Sequence, residues 1–367
     1  MSKKKTKIVI ASVLKPVDDV RNYEKIGCTL QKSGNYEVIM LGSASQLKNT
    51  NNDIAKIPWR KFNRLSVGRI LIQFTFIKAL FKAKPDILII TTHELLFASL
   101  LCKIIMKMRL VYDVQEDYYK NLMHQHFYPF LFRIPAACLI RLIEWISRPF
   151  VSHYLLAEES YSKDVGFIKN KFTIVDNKSL PIANESSQQS FNIIFTGTLT
   201  EYSKTIEAIQ LYLKIKNQFD NPKLIVIGHC PSNSYFNSLE ELSASDASII
   251  LKVRNYPVPH LEIIQEIEKA NLAIIGYESN PINEFKIPTK QYEYTAAKLP
   301  YLVRKNTYWS QIGTSWGGAI PIDFNNPENE NLPETLSQIS KAEIKSLNAE
   351  WERNEPSLLK AIMTIEN

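Results

Sequence analysis

Short apolar runs alternate with longer amphipathic segments along this chain, and that rhythm constrains its fold more than any other feature. Residues 8–13, 36–41, 87–91, 110–114, 154–157 and 172–175 are apolar runs that read as buried strands. Helical spacing of apolar residues falls between them, near 20–32, 66–82, 95–107, 130–149 and 159–166. Strands buried on both faces and separated by crossover helices imply a parallel sheet with helices on both sides. After a polar stretch at 183–190 (ANESSQQS), which reads as a linker, the rhythm restarts. Strands are expected at 192–196, 224–228, 249–253, 272–275, 301–303 and 319–322. Helices are expected at 203–217, 235–243, 260–269, 288–297, 334–347 and 349–365.

The expected fold class is therefore α/β, with two doubly wound, Rossmann-like domains facing across a cleft. The boundaries expected from the pattern are 1–185 and 186–348, with 349–367 as a final helix. A chain of 367 residues is long enough for two domains with real cores. Only 11 residues are glycine, where average usage of about 7% gives roughly 26. Neither G-x-G-x-x-G nor G-x-x-x-x-G-K-[ST] occurs, which argues against a standard dinucleotide fingerprint or P-loop.

The formal charge of +7 is unevenly divided: about +13 on residues 1–180 and about −6 on 181–367. A uniformly basic chain suggests nucleic acid, whereas this split suggests two domains with different partners. The four cysteines are scattered and form no C-x-x-C, so neither a disulfide framework nor a structural zinc site is expected. The basic start followed by 8–14 reads as a first strand rather than a signal peptide, since Lys15-Pro16-Val17-Asp18-Asp19 follows it. The richest apolar stretch, 127–151, is interrupted by Arg133, Arg141, Glu144 and Arg148, so no transmembrane helix is expected.

In doubly wound sheets, ligands bind outside the carboxyl ends of the strands. After the first strand, Asp18 or Asp19 can cap the next helix, and Arg21 could reach a phosphate. Thr92-His93-Glu94 and Asp113-Val114-Gln115-Glu116-Asp117 follow later strands, and carboxylates and amides suit sugar hydroxyls. In the second half, Gly197 and Thr198 open a strand-to-helix turn that leads to Lys204, and Gly228-His229 ends the next strand. A glycine there allows close approach to backbone, and a helix N-terminus favours phosphate. In 288–300 (PTKQYEYTAAKLP), Pro288 fits a helix first turn and Lys290 sits near the positive helix end, where an anionic ligand would relieve the conflict. Glu293 lies three residues on, on the same face; a surface pair with Lys290 is the plainer alternative.

Together these segments resemble the family 4 glycosyltransferases of the GT-B fold superfamily, over nearly the whole chain. Residues 288–300 look like that family's P-x-K-x-x-E-Y-x-A-x-G-x-P run. Residues 195–199 (FTGTL) resemble the turn opening its donor domain, and 111–117 (VYDVQED) resemble its "vyDvHEd" loop. The resemblance implies a hexosyltransferase-type enzyme that retains anomeric configuration, with no cofactor and no catalytic metal. It would move a sugar from a nucleotide-sugar donor, held by the second domain, to a saccharide or polyprenyl-diphosphate-linked acceptor, held by the first. In this reading Asp113, Gln115, Glu116, His93 and Glu284 belong to the catalytic region. Gly197, Thr198, Lys204, Gly228, His229, Lys290 and Glu293 would bind the donor, and Asp19 and Arg21 the acceptor or a phosphate. The final helix would cross back onto the first domain.

Gln115 stands where relatives carry histidine, and Thr198 and Ser203 where they carry Arg and Lys. The earlier glutamate of the Glu-x7-Glu pattern would fall at Phe285, with Glu284 one residue off, and Lys298 replaces a common glycine. Two other readings compete: a GT-B-like sugar-nucleotide epimerase, and a degenerate homologue acting as a scaffold. The expected setting is bacterial, cytoplasmic and without nucleic acid, with peripheral attachment to the inner face of the cytoplasmic membrane during surface polysaccharide assembly. Trp59, Arg60, Lys61, Phe62, Asn63 and Arg64, leading to Arg69, Phe74, Phe76, Lys78, Phe81, Lys82 and Lys84, are the residues expected to meet an anionic bilayer.

Overall fold

The computed structural model describes residues 5–45, 54–60, 68–124, 130–168, 170–183 and 190–366. The chain divides into two compact units, Met1–Asn177 with Asn354–Asn367, and Lys178–Arg353.

The first unit is built on β1 (Thr6–Pro16), β2 (Tyr36–Ser43), β3 (Ala55–Trp59), β4 (Ile87–Ile90), β5 (Arg109–Val114), β6 (His153–Leu156) and β7 (Phe172–Ile174). Their order is β3-β2-β1-β4-β5-β6-β7, and every pairing is parallel. Ile8, Val9, Ile10 and Ala11 are wholly buried at the centre, as a strand covered on both faces requires. Val9, Ala11 and Val13 share a core with Leu88, Ile90, Phe76, Leu80 and Cys102. β3 was not expected. Its sequence AKIPW is partly polar and contains a proline, which an edge strand tolerates because one row of its backbone groups needs no ladder partner.

Trp59 is buried, and its indole N–H donates to Val13 O at 3.1 Å. Phe76 is also wholly buried. These two side chains, expected at a bilayer, belong to the core instead, whereas Phe74 and Phe81 are exposed. Lys61, Phe62, Asn63 and Arg64, and the side chain of Arg69, lie outside the described residues, as do 184–189 of the polar stretch.

After β1 the chain runs as a π-helix, Val20–Gly27, and then as an α-helix, Cys28–Lys32. Asp19 caps the first of these, its Oδ1 accepting from Asn22 N at 3.0 Å. The helix Glu355–Glu366 belongs to this unit: Thr29 Oγ1 donates to Glu355 at 2.8 Å and Tyr36 OH to Glu366 at 3.3 Å. Residues 349–353 are not part of that helix. Glu350 forms a bridge with Ser179, and Trp351 N donates to Ser179 O at 2.6 Å within the second unit.

The second unit carries β8 (Asn192–Thr198), β9 (Lys223–His229), β10 (Ile249–Arg254), β11 (Leu272–Ile275), β12 (Tyr301–Arg304) and β13 (Ala319–Ile322), in the order β10-β9-β8-β11-β12-β13. All pairings are parallel. Successive residues feed opposite faces: Ile193, Phe195, Leu224 and Val226 join one core, Ile194, Ile225 and Ile227 the other. The single helix expected over 334–347 is instead a short helix Leu332–Gln338 and a 3-10 turn Ser346–Asn348. Among the described residues, no helix is long and apolar enough to cross a membrane.

Strand order reverses direction beside β1 and β4 in the first unit, and beside β8 and β11 in the second. The loops at the carboxyl ends of those strands are the places where such sheets bind ligands.

Candidate functional site

In the second unit, β8 and β9 each carry a glycine as their next-to-last residue, Gly197 pairing with Gly228. Gly197 has φ +123°, a conformation that suits glycine. A Cβ at Gly228 would lie 1.8 Å from Gly197 O, so no side chain fits there. The side chain of Lys290 packs onto the bare backbone at Gly197.

Lys290 comes from the helix Thr289–Ala296, entered through Pro288. Thr196 Oγ1 and Tyr294 OH, 3.0 Å apart, tie this helix to β8. Lys290 Nζ donates to Glu293 Oε2 at 3.2 Å, and His260 Nε2 lies 3.3 Å from Glu293 Oε1. Glu293 is buried, whereas Lys290 and His260 keep partial exposure. The carboxylate therefore has a donor on each oxygen. Burial, with the charge of Glu293 adding to it, pushes the neighbouring Tyr277 hydroxyl up to about 12. Lys298 takes the left-handed conformation that glycine favours, with φ +50°.

A second set of charges lies beside this one. Lys204, itself left-handed at φ +57°, bonds Glu207 at 3.1 Å and Glu278 at 3.0 Å. Arg304, at the end of β12, lies 3.4 Å from Glu278 and donates from Nε to Gly276 O at 3.0 Å. The hydrogen bond from Lys204 to Glu278 raises the lysine's pKa. Ser203 is buried in reciprocal bonds with Thr200, 2.9 and 3.3 Å, so its hydroxyl holds the turn together. Thr198 is exposed at the tip of β8. His229 is half-buried beside it, its carbonyl accepting from Leu199 N at 2.8 Å. Glu284 is exposed in a turn at 281–285.

Gly197, Gly228, Lys290 and Glu293 thus lie close together, with Lys204 held in a separate carboxylate cluster. His260, Glu278 and Arg304 were missed. The usable signal was position, since each lies at or within six residues of a strand's carboxyl end.

In the first unit, Arg21 and Asp113 form a bidentate pair, Nε to Oδ2 at 3.0 Å and Nη2 to Oδ1 at 2.7 Å. Both are buried, and Arg21 Nη1 also donates to Val175 O at 2.8 Å. The expectation that Arg21 reaches a phosphate is corrected here: its guanidinium is spent inside the protein on a carboxylate. Asp113, expected to meet substrate, is likewise wholly buried. Gln115 Nε2 donates to Asp113 at 2.6 Å and to Asn22 Oδ1 at 2.8 Å, and its Oε1 accepts from Lys15 Nζ. Asp19 Oδ2 lies 3.7 Å from the same Lys15 amine. These groups form one network joining the turns after β1 and β5, and only its rim, Lys15, Asp19 and Gln115, meets solvent. Glu116 is exposed and accepts from Asn121 at 2.9 Å. His93 packs edge-on against Tyr118, ring centroids 4.5 Å apart.

Elsewhere in the first unit, Arg141 bonds Asp117 at 2.8 Å and Glu144 at 3.2 Å. Burial and the repulsion of Asp117 outweigh the attraction of Arg141 and push the Glu144 carboxyl up to about 7.

No protein-family model matches the chain, and no curated protein sequence does. Solved structures match throughout its length. Anabaena HepE in complex with UDP and glucose is 11% identical, with 98% of this chain and 100% of that one covered and a TM-score of 0.67. The catalytic domain of starch synthase IV from Arabidopsis thaliana, bound to ADP and acarbose, is 10% identical, covers 99% and 100%, and has a TM-score of 0.68. A putative UDP-N-acetylglucosamine 2-epimerase from Listeria monocytogenes is 13% identical, covers 98% and 96%, and has a TM-score of 0.64. Identity this low speaks to fold alone: the chain has the GT-B fold, two Rossmann-like units each on a parallel sheet.

Proposed function

We propose that this protein is a retaining glycosyltransferase of the family 4 type, moving a sugar from a nucleotide-sugar donor to a saccharide or polyprenyl-diphosphate-linked acceptor in surface polysaccharide assembly. The observation that carries this reading is the Lys290–Glu293–His260 cluster lying over the glycine-lined ends of β8 and β9. A buried carboxylate can accept from two ribose hydroxyls, and a lysine beside it can meet the diphosphate. Lys204 and Arg304 are further cations at strand ends, shared by one half-exposed glutamate that an anionic ligand could displace. Positive charge placed at the departing diphosphate lowers the barrier where charge develops, and holding both substrates supplies orientation. The named ligands of structures with this fold, UDP with glucose and ADP with acarbose, agree with a sugar-nucleotide donor. In this reading the second unit binds the donor and the first unit the acceptor, through the rim of the Lys15–Asp19–Gln115 network.

A thermal-shift and donor-hydrolysis panel across UDP-, GDP- and dTDP-sugars tests it. Stabilisation by one donor with slow release of sugar and nucleotide supports transfer. An inverted stereocentre in the recovered sugar nucleotide would favour the epimerase, which the fold likeness keeps in view. Absence of any nucleotide binding would leave a scaffold.

A further inference from the structure

Three helices of the first unit break the usual rule that a helix facing solvent shows it polar residues. They are Gly68–Ala83, Leu96–Met106 and Phe130–Ser147, and Leu96–Met106 packs against both of the others. Fifteen of the twenty-two exposed large apolar side chains among the described residues lie between 71 and 150. On the middle helix, Phe97, Leu101, Ile104 and Ile105 share one face at spacings of four, seven and eight residues, and all are exposed while Ala98 and Cys102 are buried. The third helix presents a second such stripe, where Leu131 is 80% and Phe132 71% exposed. An apolar surface this large marks an interaction site.

Charge identifies the occupant. The three helices carry six Lys or Arg and one acid, Glu144, and that acid is buried. At the end of the third helix, Trp145, Arg148, Tyr154 and Lys171 line a cavity of about 550 Å³. The Arg148 guanidinium lies 5.4 Å from the Trp145 ring. Among the described residues no carboxylate pairs with Arg148 or Lys171, and the buried Tyr154 hydroxyl has no hydrogen-bond partner. Nearby, Lys103 is held to Phe150 O at 2.6 Å, and burial with the repulsion of Arg109 and Lys171 lowers its pKa.

We propose that this face docks on a bilayer containing anionic phospholipid, the apolar stripes entering the acyl boundary and Arg148, Lys171 and Tyr154 receiving a lipid phosphate. A second copy of the chain fits less well, since a two-fold interface would bring two such sets of cations together with no exposed acid on the three helices to pair with them. Aromatic and aliphatic side chains flanked by Lys and Arg, with no exposed acid on the three helices, suit an interfacial surface lying on a membrane rather than crossing it. This stands whether or not the chain transfers sugars; of the segment expected at a bilayer it keeps the helix Gly68–Ala83, and it adds the two helices Leu96–Met106 and Phe130–Ser147.

The test is flotation of the full chain with phosphatidylcholine vesicles, with and without phosphatidylglycerol. Recovery with the anionic vesicles should exceed that with the neutral ones at least tenfold. Ile104→Glu with Leu142→Glu, two exposed positions, should abolish flotation while circular dichroism and thermal midpoint stay unchanged. Arg148→Ala with Lys171→Ala should remove the preference for phosphatidylglycerol. Failure to float with either vesicle would overturn the proposal. So would equal recovery from both, or a wild-type dimer by light scattering that Leu142→Glu turns into monomer.

Discussion

Lys290 lies so close over Gly197 that a Cβ built on the glycine would stand 2.7 Å from Lys290 Cε. The two residues are 93 apart in sequence, yet each fixes what the other can be. Gly197→Ala should therefore do two things. The residue would be strained at φ +123°, costing about 1–3 kcal/mol. The lysine would also have to swing away, so nucleotide-sugar affinity should fall at least tenfold. Urea denaturation and calorimetric titration, run beside Lys290→Ala and the double variant, separate the effects. A steric origin predicts that the two changes are strongly non-additive in binding.

Glu293 holds Lys290 and His260 with its two oxygens. Glu293→Gln keeps the shape and removes the charge. It should cost about 1–2 kcal/mol of stability and weaken donor binding at least tenfold, read by titration with the nucleotide sugar found in the panel. Unchanged affinity would sink the assignment of Glu293 to the ribose.

The parallel strands were readable because burial on both faces leaves continuous apolar runs, as in β1 and β4. β3 escaped because an edge strand can be short, polar and proline-containing. The helix Tyr118–His124 escaped for a related reason: it buries no residue, so no apolar period marks it. At the candidate site, the 288–300 run was readable because its residues are neighbours in sequence. His260 was not, since its link to Glu293 spans 33 residues and a lone histidine carries no pattern. Arg21 looked like a free cation because its partner, Asp113, lies 92 residues away.

That last pair has a testable energetic signature. Arg21→Met would leave the buried Asp113 carboxylate without its guanidinium, costing about 3–5 kcal/mol. Arg21→Met with Asp113→Leu removes both charges and should cost clearly less. Urea midpoints of the single and double variants decide it. A direct phosphate-binding role for Arg21 predicts the opposite pattern, lost acceptor use at unchanged stability.

Glu144 supplies a pH dependence whose direction can be worked out. Its folded pKa is about 7, above the ordinary 4.5, because burial outweighs Arg141 and Asp117 repels it. Between those values the folded protein binds a proton that the unfolded chain has released. The resulting stabilisation is fully present below the unfolded pKa and is lost as pH rises through the folded one. Asp117 accepts Arg141 at the shorter distance, 2.8 Å against 3.2 Å, so it holds the guanidinium more strongly than Glu144 does. Wild-type stability should therefore fall by about 2 kcal/mol from about pH 5.5 to about pH 8.5 on this group's account. Glu144→Gln, neutral throughout, should flatten that slope and still accept from the Tyr112 hydroxyl, 3.3 Å away. Urea unfolding of both proteins across this range measures it, and equal slopes would assign the titration elsewhere.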